Sequence, residues 1–238
     1  MAREASALVL LHDDFASIVA TIRLGRRIYD NMRKAIAYIV AVHVPIAGLA
    51  LLPILCGMPL ILMPIQIALL EMVIDPACSV VFESEREERD VMHRPPRKPG
   101  APVLPAGAAM WAGIQGLVAL AIGAGALFAG AGLGMGPSDL RALVFTILVV
   151  MNIGLILVNR SFRSSLAEAV LRPNPALWIL VCVVALILSA ALYWPPMQAL
   201  FHFGPLHPDD LAGCLAAGVL LLCLLESGKR LGFARQDE

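Results

Sequence analysis

Glu71 and Asp75 lie inside an apolar stretch, residues 60–82, that is long enough to cross a bilayer. Four residues apart, they share one face of a helix. Pro76 follows at once, has no N–H to donate, and frees the carbonyl of Met72. An ionised carboxylate in hydrocarbon is costly, and two on one face cost more. Such a pair is explained when a positive ion comes to meet it. Earlier in the chain, Pro45 does the same to the carbonyl of Ala41, two residues after His43. Carboxylates plus freed carbonyls make an oxygen-rich site that suits Ca²⁺, Mg²⁺, Mn²⁺ or a proton-coupled monovalent ion. The candidate ligands are Glu71 and Asp75. His43 reads first as a satisfied core histidine and second as a nitrogen ligand.

Other polar residues in apolar segments have plainer readings. Cys78 is read as packing. Asn152, Gln66 and Gln115 are read as hydrogen-bonding glue between helices, and Gly113, Gly116, Gly123 and Gly125 as close helix contacts. Glu226 and Lys229 are expected to be solvated at the boundary. A basic face near the first span reads as ordinary loop charge, with an anionic-lipid contact as the sharper option.

These groups need a membrane frame. Of the 238 residues, 59% are hydrophobic, well above the share of about 45–50% in a water-soluble domain. Six segments approach the span length: 35–56, 60–82, 108–133, 140–158, 176–194 and 211–226. The expected fold is therefore all-α, a polytopic membrane protein with six transmembrane helices and a cytosolic stalk extending the first. With the first helix starting inside, all but one of the 18 Lys and Arg fall on the inner side, Arg141 being the exception. Both termini are then expected in the cytoplasm. No secretory signal is visible, and the odd count of five cysteines argues against a disulfide framework.

The expected division is 1–34 as the end of a cytosolic domain plus the stalk, 35–82 as an ion-site helical hairpin, 83–107 as a linker, 108–228 as a four-helix support and 229–238 as a tail. Asp14 is a candidate N-cap for a stalk over 17–34. Gly57, Met58 and Pro59 predict a tight turn in the hairpin. The Pro-rich run RPPRKPGAPVLP predicts an extended linker, Tyr193 and Trp194 an interfacial belt before two stopping prolines, and residues 7–11 (ALVLL) a buried strand.

The string AREASALVLLHDDFASIVATIRLGRRIYDNMRKAIAYIVAVHVP resembles the junction of P-type cation-transporting ATPases, where the phosphorylation domain ends and the stalk enters the fifth transmembrane helix. LLEMVIDPACSVVFESE and DVMHRPPRKP continue the resemblance through the sixth helix and its loop, in the manner of the calcium-pump-like branch. The resemblance implies that the chain holds the fifth to tenth helices of such a pump. Asp75 then falls on the family's ion-binding aspartate. Glu71 and Ile74 stand where calcium pumps carry asparagine and threonine, and His43 and Ile46 where they carry asparagine and glutamate. These departures resemble a bacterial subgroup.

No DKTGT, TGES or GDGxNDxP motif is present. The chain alone is therefore not expected to hydrolyse ATP or to hold a cofactor; ATP and Mg²⁺ would enter only in a complete pump. The expected partners are the bilayer, the transported cation and the N-terminal portion of a pump, in a bacterial plasma membrane, with no nucleic acid. The alternatives are a non-catalytic subunit that binds or regulates a full-length pump, and a free-standing channel or carrier.

Overall fold

The computed structural model describes residues 14–97, 100–160, 168 and 171–230. The strand expected at residues 7–11 lies outside them. The described residues contain helices and no strand. The elements are α1 (Phe15–Leu55), α2 (Pro64–Pro76) running on as a π-helical segment (Ala77–Phe82), α3 (Ala106–Gly132), α4 (Pro137–Asn159), α5 (Pro175–Tyr193), the short α6 (Pro195–Phe201) and α7 (Pro208–Arg230). Six of these stretches are long and apolar enough to cross a membrane, so the protein is a multi-pass membrane protein.

α1 begins at Asp14, whose side chain accepts a hydrogen bond from the Ala16 N–H at 2.9 Å. Its 41 residues span about 60 Å at 1.5 Å per residue, roughly twice the hydrocarbon thickness. The stalk and the first span are thus one helix, which continues through Pro45 and Pro53. Gly57, at φ +68°, lets the chain turn away after the helix end, and the Met58 N–H returns to the Pro53 carbonyl at 2.8 Å.

The turn of the first hairpin is longer than the expected three residues, because α2 starts only at Pro64. Pro64 is pre-set for a first helical position, and Gln66 closes the start by accepting from the Met63 N–H at 2.6 Å. Ile61 and Leu62 are buried in this connection rather than in the helix. α5 stops at Tyr193, with Trp194 extended, as the two prolines predict; Pro195 and Pro196 then open the separate α6, as prolines can in a first turn.

α4 is the central helix; 83% of its most apolar window is buried. Around it the bundle closes on small residues. A methyl group at Gly116 would stand 2.6 Å from the Ala41 carbonyl oxygen, and one at Gly123 would stand 2.7 Å from Leu49. Gly113 and Gly125 have nothing within 4 Å, so only half of the glycines expected at helix contacts are there.

The glue expectation divides in the same way. Gln115 accepts from Asn159 at 2.7 Å, joining α3 to α4, and Gln66 donates to the Phe201 carbonyl at 2.6 Å. Asn152 is buried with no hydrogen-bond partner among the described residues, and so makes no such bond. Lys229 is not solvated as expected: its ammonium donates to the Val158 carbonyl at 2.7 Å, closing the C-terminal end of α4, while Glu226 faces Arg230 at 3.6 Å.

Candidate cation half-site

α1 and α2 bring His43 and Glu71 together. The imidazole Nε2 lies 3.5 Å from Glu71 Oε1, and Nδ1 lies 2.8 Å from the Ile39 carbonyl oxygen. A carbonyl oxygen only accepts, so Nδ1 carries a proton and donates. Asp75 sits one turn further along α2, and the hydroxyl of Ser79 donates to its carbonyl at 2.8 Å. Cys78, half-buried, packs against the core.

These groups occupy an open side of the hairpin. The His43 and Glu71 side chains are 49% and 39% exposed, and Asp75 is exposed as well. Among the described residues no three His, Cys, Asp or Glu side chains converge closely enough to hold a metal. Glu71, Asp75 and His43 thus lie together on the outward-facing side of the hairpin without completing such a group by themselves.

The two prolines differ in what they free. Pro45 is buried, and the Ala41 carbonyl it leaves without a donor faces Gly116 of α3, not the acids. The sequence expectation that this carbonyl joins the ion site is corrected here: α3 needs a glycine where it meets that oxygen. Pro76 acts at the acids themselves. Directly after it the helix widens to π geometry over Ala77–Phe82, a form that is rare and enriched at functional sites. Met72, whose carbonyl loses its donor to Pro76, lies on the exposed side of α2.

The sequence reading missed a second constellation at the stalk end of the bundle. Residues 83–97, in the expected linker, are bonded to the stalk. Arg26 donates to the carbonyls of Val91 and Arg94 at 2.8 and 2.7 Å, and Arg27 to the Glu85 carbonyl at 2.9 Å. Lys34 pairs with Glu88 at 2.7 Å, both buried, and Arg94 bridges Asp30 and Asp90. Burial opposes the charge on Arg94, but the hydrogen bond to Asp90 and the charge of Asp30 outweigh it and hold its pKa above the ordinary arginine value. Glu85 is itself buried against Arg160 and Asn174. The signal available in the sequence was a run rich in acids, Glu83, Glu85, Glu87, Glu88 and Asp90, immediately after a span and within reach of a basic stalk.

The described residues thus hold six spans, with an imidazole and two carboxylates on an open side of the first hairpin. The sequence matches the family described as "Cation transporting ATPase, C-terminus" over residues 59–231, and the chain belongs to that family, as the C-terminal membrane part of a P-type cation ATPase. It is 31% identical to the "Calcium-transporting ATPase" of Bacillus subtilis (strain 168) over 227 residues, covering 88% of this chain and 24% of that protein. It is also 37% identical to the "Sodium/potassium-transporting ATPase subunit alpha" of Drosophila melanogaster over 99 residues, and 41% identical to the "Potassium-transporting ATPase alpha chain 1" of Xenopus laevis over 98. Those two matches cover 42% and 41% of this chain and 10% of each relative. The chain thus spans about a quarter of the Bacillus relative and a tenth of the other two.

Proposed function

We propose that this chain supplies the cation-site hairpin and the supporting helices of a P-type pump, with Glu71 and Asp75 as cation ligands and His43 as a third contributor. The remaining ligands and all ATP chemistry come from segments outside the chain. The observation that carries this reading is the outward-facing His43–Glu71 contact at 3.5 Å, with Asp75 one turn away, in helices that are otherwise apolar. Partly exposed acids at this depth are costly against acyl chains, and a cation held under a covering helix removes that cost. Calcium is the first ion to test, given the name of the Bacillus relative. Carboxylate oxygens suit Mg²⁺ and Mn²⁺ as well. The charge pattern supports cytoplasmic termini in a bacterial plasma membrane.

The test is co-expression with a polypeptide bearing the phosphorylation and nucleotide domains, followed by assay of cation-stimulated ATPase activity in membranes. Activity that depends on this chain, and disappears with Glu71→Ala plus Asp75→Ala, supports the reading. Full activity in that double variant removes the site assignment. A non-catalytic subunit that binds an intact pump also fits an open acidic side. It is favoured instead if the chain co-purifies with a pump whose ATPase activity needs neither acid.

A further inference from the structure

Pro76 removes one bond from the helical ladder just below Asp75, and the next six residues, Ala77–Phe82, have π geometry. A ladder interrupted in this way does not by itself set the rotation and height of the segment that carries the acids. Something outside the helix must hold its inner end. The structure shows what does: Glu85, three residues beyond the π segment and only 1% exposed.

Four groups from three other parts of the bundle converge on Glu85. Its carboxylate accepts from Arg160 Nε at 2.5 Å and from Asn174 Nδ2 at 2.6 Å. Its backbone carbonyl accepts from Arg27 Nε and Asn31 Nδ2, each at 2.9 Å. Asn174 Nδ2 also donates to the carbonyl of Val81, inside the π segment, at 3.0 Å. Arg160 is fully buried, and its second arm donates to the Arg172 carbonyl at 3.0 Å, tying both ends of the α4–α5 connection to the same point. A planar guanidinium reaches both acceptors at once, which a lysine ammonium on a flexible stem does not match. On the opposite side, Phe82 closes the segment against Tyr38 of α1, ring centres 5.4 Å apart.

We propose that Arg160 and Asn174 are positioning residues for the cation half-site, acting through Glu85 and Val81 on the inner end of α2. The support helices do more than shield the hairpin: they set where Glu71 and Asp75 stand. This rests on the reading of those acids as cation ligands, but the anchor can be tested separately from it.

The experiment is amide hydrogen exchange on the full chain in lipid nanodiscs, comparing Arg160→Lys, Asn174→Ser and Arg141→Met. Serine keeps the oxygen that accepts the Leu177 N–H at the start of α5 and removes the amide donors. Arg141 donates to the carbonyls of His202 and Leu60 at the other end of the bundle, and so serves as a control. Exchange over residues 72–84 is expected to quicken about tenfold in the first two variants, with 140–158 unchanged, and to stay at the wild-type rate in the third. Wild-type protection of 72–84 in both anchor variants, or equal loosening of every helix, overturns the proposal. If Arg160→Lys does not fold, Asn174→Ser alone decides.

In the assembled pump, Asn174→Ser is expected to raise the half-saturating cation concentration about fivefold, with kcat within about twofold. An unshifted half-saturation there overturns the positioning role. An Asp75→Ala pump that keeps normal cation dependence removes the ligand reading, and the exchange result still judges the anchor.

Discussion

His43 Nε2 and Glu71 Oε1 face each other at 3.5 Å across the first hairpin, while the other imidazole nitrogen is tied to the carbonyl one turn back at Ile39. The ring is thereby oriented by its own helix and turned toward the acid of the next. Removing it leaves Glu71 without that neighbour and leaves Asp75 untouched. In the assembled pump His43→Ala is expected to change the half-saturating cation concentration about three- to tenfold with kcat retained, whereas Asp75→Ala loses the cation response altogether. Initial rates of ATP hydrolysis across a cation titration distinguish the two.

Gly116 and Gly113 lie three residues apart on α3 and should respond oppositely to the same substitution. A methyl at Gly116 meets the backbone oxygen of Ala41 at 2.6 Å and Val44 at 2.6 Å, so Gly116→Ala is expected to destabilise the bundle by about 1–3 kcal/mol. Gly113 faces open space, and Gly113→Ala is expected to be neutral or to gain up to about 1 kcal/mol from helix propensity. Thermal melts of the two variants in detergent, read by circular dichroism, give the sign of each. Equal shifts would mean that α1 and α3 do not approach as closely as described.

Arg160 and Glu85 form a fully buried ion pair, and such pairs respond differently to single and double replacement. Glu85→Met removes the buried carboxylate that Arg160 faces, and Arg160→Met removes the guanidinium that Glu85 faces; each is expected to cost about 3–5 kcal/mol. The double replacement, apolar on both sides, is expected to recover most of that loss. A double-mutant cycle on unfolding free energies measures the coupling. A double variant as unstable as the sum of the singles would show that the pair is not the unit that matters.

Arg94 holds the loop to the stalk through Asp30 and Asp90, with its pKa held above the ordinary arginine value. A basic group raised in this way adds stability that is present below its unfolded pKa and lost only as pH rises through the folded one. Its contribution is therefore expected to stay constant over the neutral to mildly alkaline range. The difference in melting temperature between wild type and Arg94→Ala should be the same at about pH 7 and about pH 10. A difference that shrinks by pH 10 would show that the bridge does not retain its charge.

Much of this architecture was legible before any coordinates. The six spans fall within a few residues of their expected limits, and the stalk begins at Asp14 as the capping pattern implied. Glu71 and Asp75 announced themselves as acids in an apolar run. The acid-bearing helix also departs from regular geometry directly after Pro76, where the missing donor lies. Each of these follows from residues within one or two turns of each other, because hydropathy, capping and proline chemistry act locally.

Other features could not be read in that way. Nothing near Pro45 in the chain says that the carbonyl it frees is met by a glycine of α3 rather than by a cation. Arg160 lies 75 residues from Glu85, and as a charged residue after a span it reads like any other inner-side basic group. Burial made it a partner for a buried acid, and burial depends on which helices surround it. Composition and short-range backbone chemistry settled how many times the chain crosses and where its acids lie. Packing of α4 and α5 against the stalk end decided which charges leave water, which must therefore pair, and what holds the acid-bearing helix in place.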